Sequence, residues 1–473
     1  MESHSLPPED QDATTAFPAI AVRLAQRYGS WLAGALLLVW AVYSIPAKVT
    51  EIRSPHGGPR LLLADVTPQT GNWPGYRGPS QQGIVQLKTT SGIATSQGHV
   101  PLWGHRTEGA TSSPCVWGTQ VMFVEQTTPN TARLVSLHRE TGALLWSSGW
   151  TIAADADANQ VLPTPTCDGD HVFLPVARAG RLHLQAWTMT GQPAWNCDVG
   201  PWSDPHASVV SPVLHGPLVI VAADQPRTAW SPWQTQSYVA GIHRLTGTIV
   251  WRTLRPDGAS SGVPVVATVA DRAQLLLAGR GSVRGYDPLT GREFWSCRWR
   301  TRQVVGGVVT DGQHVYAAGC HPEGDLICVR CDGSGDVTET HIVWRDRRLV
   351  VDPIALTLAD NVLIHQQGDG TLLAVDATSG KMIWRKKLPG AISTPVLRYG
   401  SQLLCTDDNG TLHLLDLNRR GETVYEASLG ANILASPAAI ESGLMISTSQ
   451  GMIRLKNGPG ALVQEPRVTP QTR

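Results

Sequence analysis

Along most of this chain, apolar runs of five or six residues alternate with short turns rich in Gly, Asn and Asp. One period shows the pattern: IALTL, a turn at Asp360-Asn361, VLIHQ, a turn at Gly368 to Gly370, TLLAVD, a turn from Asp376 to Gly380, then MIWRKK. Four short apolar segments joined by such tight turns predict an up-and-down antiparallel sheet, since loops this short cannot make a parallel crossover. At 409, NGTLHLLD repeats DGTLLAVD of 369 almost letter for letter.

The last turn of each period carries a Gly-to-Trp phrase: TGALLW, TGQPAW, TGTIVW, TGREFW and SGKMIW. Its glycines stand at 142, 191, 247, 291, 335, 380 and 421, spaced 41 to 56 residues apart. The fifth copy is stretched, with Trp344 nine residues after Gly335, and the seventh ends in Tyr425. Each period opens on a small residue or Asp with proline, as in SPCVWG at 113, TPTCDG at 164, SPVLHG at 211, DPIALT at 352, TPVLRY at 394 and SPAAIE at 436. Weaker openers begin at Pro264 and Gly307.

A four-stranded sheet with apolar residues on both faces cannot hide them alone, and stacking such sheets radially does so. Eight openers predict an all-β fold, an eight-bladed β-propeller of four-stranded antiparallel blades spanning 71–458. After Ser436-Pro437 only three strands remain before the chain enters a Pro-containing tail. The missing outer strand is predicted at PLWGHR, residues 101–106, with Trp103 latching the ring.

Of 17 tryptophans, seven close a period: Trp103, Trp146, Trp195, Trp251, Trp295, Trp344 and Trp384. They read as packing residues wedged against the next blade, with Gly142, Gly191, Gly247, Gly291, Gly380 and Gly421 supplying positive-φ turns. His138 and His243 occupy the turn position held by Asp287 and Asp376 elsewhere, which favours a turn role over ligation.

Ahead of the repeats, residues 29–47 carry no charge and would span about 28 Å as a helix. With Trp31 and Tyr43 near its ends, this stretch reads as a transmembrane anchor in preference to a cleaved signal peptide. Residues 1–28 are then a cytoplasmic segment, 48–70 a tether and 459–473 a flexible tail. Arg23 and Arg27 before the helix are matched by Lys48 and Arg53 after it, so charge alone does not orient it.

Lys+Arg and Asp+Glu balance at 38 each, which argues against nucleic acid as a partner. Among eight scattered cysteines only Cys320, Cys328 and Cys331 cluster. Residues three apart in a strand point to opposite faces, so CVRC makes a poor metal clasp. Buried thiols, or a Cys320/Cys328 cross-strand disulfide in an exported hairpin, are the favoured alternatives. Walker-type phosphate loops, HExxH, GxSxG and GxGxxG are all absent.

The phrases DPLTGREFW at 287 and DATSGKMIW at 376 resemble the tryptophan-docking motif of pyrroloquinoline quinone (PQQ)-like repeat propellers, and the resemblance covers roughly 73–456. WPGYRGPSQQG at 73 and VRCDGSGDVTETHIVW at 329 look like the lead-in and fifth blade of an anchored or secreted subfamily. The lead-in reads as a rigid Pro/Gly-shaped segment packing on the ring.

The resemblance implies two branches. Quinoprotein dehydrogenases hold PQQ and calcium over the channel, whereas BamB-like propellers bind partners without catalysis. No adjacent cysteine pair and no CxxCH segment supports the first branch. Its carboxylate base and calcium ligands would come from Glu108, Asp155, Asp157, Asn159, Asp204, His206, Asp352 or Asn432, on segments leading into inner strands. None lies in a motif that matches the family's active site. The sequence therefore predicts a membrane-anchored scaffold on the exported side that binds a protein or peptide. A PQQ- and calcium-dependent alcohol or sugar dehydrogenase is the alternative, and a small-ligand sensor is a third reading.

Overall fold

The computed structural model describes residues 71–85, 101–152, 162–203, 209–226, 236–301, 303–320, 324–349, 353–433, 435–441 and 443–456. The expected anchor, tether and tail lie outside these residues. Among the described residues no helix is long and apolar enough to cross a membrane.

Eight four-stranded antiparallel units follow one another in the chain. Their inner strands are Cys115–Trp117, Thr166–Cys167, Val213–His215, Val265–Val269, Val309–Thr310, Pro353–Ala359, Leu397–Tyr399 and Ala438–Ile440. Each begins within a few residues of a predicted opener. The inner strand of blade 8 meets that of blade 1, which closes the ring. Apolar side chains on both faces of each blade form clusters shared with the neighbours, as radial stacking requires.

Closure follows the expected route. Trp103–Arg106 pairs antiparallel with Gly451–Lys456, Trp103 opposite Arg454, and supplies the outer strand of blade 8. The amino-terminal end of the ring thus completes a sheet begun by its carboxyl-terminal end.

The Gly-to-Trp phrase couples neighbouring blades through both of its ends. A side-chain carbon at Gly142 would lie 2.6 Å from the Trp103 ring, and Gly191, Gly247, Gly291, Gly380 and Gly421 similarly seat Trp146, Trp195, Trp251, Trp344 and Trp384. The indole N–H groups of Trp103, Trp146, Trp195 and Trp344 donate to carbonyls of the following blade. Glycine is thus required twice, for the left-handed turn and as the floor under the next ring. Gly291→Ala tests this, because its φ is +71° and a new carbon would sit 2.3 Å from Trp251. It is expected to cost about 3 kcal/mol in a chemical melt, against about 1 for Gly312→Ala, which has positive φ but open space. Equal costs would refute the seating role.

The fifth phrase departs from this plan. Gly335 seats no tryptophan; Gly335–Asp336 instead joins the outer strand of blade 4, Glu293–Arg298, as a parallel fifth strand. Trp295 is consequently fully buried and donates within its own blade to Gln274. The five-residue insertion between Gly335 and Trp344 is what reaches across.

Among the thiols, Cys328 and Cys331 face different clusters, as residues three apart in a strand must. The cross-strand disulfide does not form. The register sets Tyr316 opposite Cys328, four residues short of Cys320, and Cys328 stays a buried free thiol whose pKa burial raises to about 12. His138 and His243 do hold turns, through Thr141 and Thr246.

Candidate functional site

Each inner strand has one edge paired within its blade, so its other edge faces the central axis. A segment that bonds to the free edges of several blades must therefore lie on that axis. Residues 72–85, the WPGYRGPSQQG stretch with its flanks, do this for six blades.

Trp73 exchanges backbone hydrogen bonds with Val116 of blade 1, at 2.8 and 2.7 Å. The Cys167 amide of blade 2 donates to Pro74. The side-chain oxygens of Gln81 and Gln82 accept from the amides of Val266 in blade 4 and Thr310 in blade 5, each at 2.8 Å. Nη2 of Arg77 donates to the Leu356 carbonyl and to Oγ1 of Thr357 in blade 6. Ile84–Val85 runs parallel to the inner strand of blade 7.

Local sequence explains the path. Arg77 and Gln81 take positive φ, as do Gly78 and Gly83, so the chain winds tightly enough to bring both glutamines and Arg77 onto different blades. Gly75 packs with its α-carbon against Thr166, where a side-chain carbon would lie 2.7 Å from the hydroxyl. Trp73 is buried, and Gly78 lies against its ring. The lead-in was legible as a rigid segment packing on the ring. Its course along the axis was not, because Gln81 and Gln82 act there through long-range backbone contacts that leave no local period.

Electrostatically the axis is dominated by Arg77, which is 1% exposed. Burial lowers its pKa, while the neighbouring Tyr76 hydroxyl is itself raised by burial. Nη2 carries all the hydrogen bonds of the guanidinium, and Nε and Nη1 have no partner among the described residues.

Of the predicted channel-mouth residues, the described ones are Glu108 and Asn432, and they lie in different blades. Glu108 is largely exposed and pairs with Arg133 at 3.4 Å, while its amide donates to Glu125. The Asn432 carbonyl accepts from the Ser449 amide of blade 8, and the Asn432 amide donates to the Ser449 hydroxyl. Asp155, Asp157, Asn159, Asp204, His206 and Asp352 lie outside the described residues. Among the described residues no group of three or more His, Cys, Asp or Glu side chains could hold a metal ion. Residues 72–85 on the axis carry no carboxylate and one buried arginine, so these described residues do not fit the calcium–quinone pair that the dehydrogenase resemblance implies.

Two buried polar clusters were not foreseen. Arg255 bonds Asp224 at 2.8 Å, and Asp257 lies 3.2 Å from Arg255 and 3.3 Å from Arg284. Burial raises Asp224 to about 6, with Arg255 pulling it back, and burial of Arg255 is outweighed by Asp224, Tyr286 and Asp257, which keep it charged. In blade 7, His413 lies between Asp407 at 3.1 Å and Glu426 at 3.0 Å. Ser282 and the guanidinium groups occupy the carboxylates of the first cluster, and both read as internal ties of the fold.

Comparison with known proteins agrees with this architecture. Residues 279–457 match the family described as "Outer membrane protein assembly factor BamB". BamB of Bordetella pertussis is 26% identical over 150 residues, 32% of this chain and 36% of that protein, so the match spans about a third of the relative. The crystal structure of BamB from Moraxella catarrhalis superposes with a TM-score of 0.54 at 15% identity, covering 76% of this chain and all of the other. The computationally designed Ika8 protein gives 0.53 at 13% identity, with the same coverage of both chains. At such identities the structural likenesses speak for the fold alone. Over residues 279–457 the chain is thus similar to the BamB-like repeat family, and the repeats ahead of that span carry the same Gly-to-Trp phrase.

Proposed function

We propose that this propeller is a non-enzymatic scaffold that binds a protein or peptide partner on its outer strands and loops. The observation that carries this reading is the lead-in along the axis. Residues 72–85 run along the axis in contact with six blades, and the resemblance to the dehydrogenases would call for a calcium–quinone pair over the same channel. The match to a family named for outer-membrane protein assembly supports a partner in that process. The uncharged stretch 29–47 would hold the chain at a membrane, with the propeller on the exported side.

The test is reconstitution of the full chain with PQQ and calcium, followed by dialysis and a dye-linked assay against alcohols and sugars. No stoichiometric retention of quinone absorbance and no turnover are expected. Retention with turnover would overturn the scaffold reading.

A further inference from the structure

We propose that the outer strand of blade 1, Leu144–Thr151, is a docking edge at which an extended, uncharged strand of a partner protein joins the sheet. This deepens the scaffold reading and rests on it. Among the described residues, every blade but one ends its sheet on an outer strand with unpaired backbone groups, and soluble proteins guard such edges with charge, proline, short length or a cover.

The other outer strands carry these guards. Pro193–Pro201 has proline at both ends and an ion-paired Asp198. Ile249–Arg255 carries Arg252, Ile342–Asp346 an arginine and an aspartate, and Met382–Lys387 three consecutive bases. Glu422–Ser428 has two glutamates, and Trp103–Arg106 is four residues long. Glu293–Arg298 is the covered edge.

Among the described residues, Leu144–Thr151 has none of these. It is eight residues long, LLWSSGWT, with no charge and no proline. Ser147, Gly149 and Thr151 are exposed, and Leu144 and Leu145 are 55% and 46% exposed at its start.

The covered edge of blade 4 shows how such a strand is received. Gly335 and Asp336 pair in parallel with Trp295 and Ser296, and the Val337 amide donates to the Ser296 carbonyl at 2.9 Å. Val337 is buried in the cluster that holds Trp295 and Cys297. An exposed ion pair, Arg298 with Asp336 at 3.1 Å, lies beside it.

Blade 1 repeats the geometry without the charge. Trp146 and Ser147 stand where Trp295 and Ser296 stand, each next to the same kind of register shift. An incoming strand meets no ion-pair partner on this strand, so charge on that strand would lose hydration without recompense. A neutral strand that sets apolar side chains beside Leu144 and Leu145 fits the edge, with backbone hydrogen bonds giving affinity.

The probe is a fluorescein-labelled, PEG-tailed peptide of alternating threonine and valine, beside one with glutamate replacing threonine. Two variants accompany it, Gly149→Lys and Ser147→Glu. A side-chain carbon at Gly149 would meet its nearest neighbour, Ala132 O, at 3.6 Å, so the lysine variant keeps the fold and its melting temperature.

Saturable anisotropy with the neutral peptide and slowed amide exchange confined to 144–151 are expected. Binding should weaken about tenfold or more in either variant and with the glutamate peptide. No saturable binding, protection on another blade, or binding by both variants as tight as by the parent chain would overturn the proposal. Sedimentation showing a dimer of the free chain that Gly149→Lys dissolves would assign the edge to a second copy, overturning the partner strand. These failures leave the scaffold reading standing, whereas quinone-dependent turnover removes it whatever the peptide does.

Discussion

Deletion of residues 101–106 is expected to lower the melting temperature by roughly 5–10 °C. The segment is the fourth strand of a blade whose other three strands come from the far end of the repeats. Its loss removes a four-residue ladder and the Leu102 amide bond to Arg454. It also removes Trp103, 9% exposed, whose indole N–H donates to the Arg139 carbonyl at 2.9 Å. Truncating a buried tryptophan alone costs about 3–5 kcal/mol. Gly142 would lose the ring that lies against it, so blades 8 and 1 would be joined chiefly through their inner strands and the Arg454–Glu140 ion pair. Amide exchange in Gly451–Lys456 should rise before that of any other strand, because this becomes the exposed edge. An unchanged melting curve would show that the ring does not depend on this latch.

The ring was legible because its determinants are local and repeated. The opener prolines, the turn residues and the Gly-to-Trp phrase each report one blade, and eight copies in phase fix the architecture. Even the latch could be found, as a strand missing at one end and spare at the other. What escaped the sequence was every feature that joins segments distant in the chain without repeating. Gly335 looked like one more turn glycine, yet it pairs with Trp295 because the insertion before Trp344 lets the chain reach the neighbouring blade. The Asp224–Arg255–Asp257–Arg284 cluster draws on two blades, and no spacing marks it. Candidate residues chosen for polarity alone carry the weakest signal. Glu108 is tied to blade 1 and Asn432 to blade 8, and polarity at the mouth of a channel is what water contact requires in any propeller.

Arg77→Ala is expected to loosen the axial segment and destabilise the propeller by about 3 kcal/mol. Arg77 is the one charged side chain between Asn72 and Val85, and it is buried where six blades converge on that segment. Its Nη2 ties the Gln82 carbonyl of the segment to Leu356 and Thr357 of blade 6. Truncation leaves the Leu356 and Gln82 carbonyls without this donor and opens space where Gly83 now lies against the guanidinium. Relief of the buried charge offsets part of the loss, since burial already lowers the arginine pKa, but three hydrogen bonds and the packing of a long side chain outweigh it. The specific readout is at two distant amides. Val266 and Thr310 donate to Gln81 and Gln82, so their exchange should accelerate if the segment lifts from the axis, while amides in the outer strands keep their rates. Faster cleavage by protease within 71–85 should accompany it. If those two amides exchange as in the parent chain, Arg77 does not hold the segment, and the axis is kept filled by its backbone contacts to blades 1, 2 and 7.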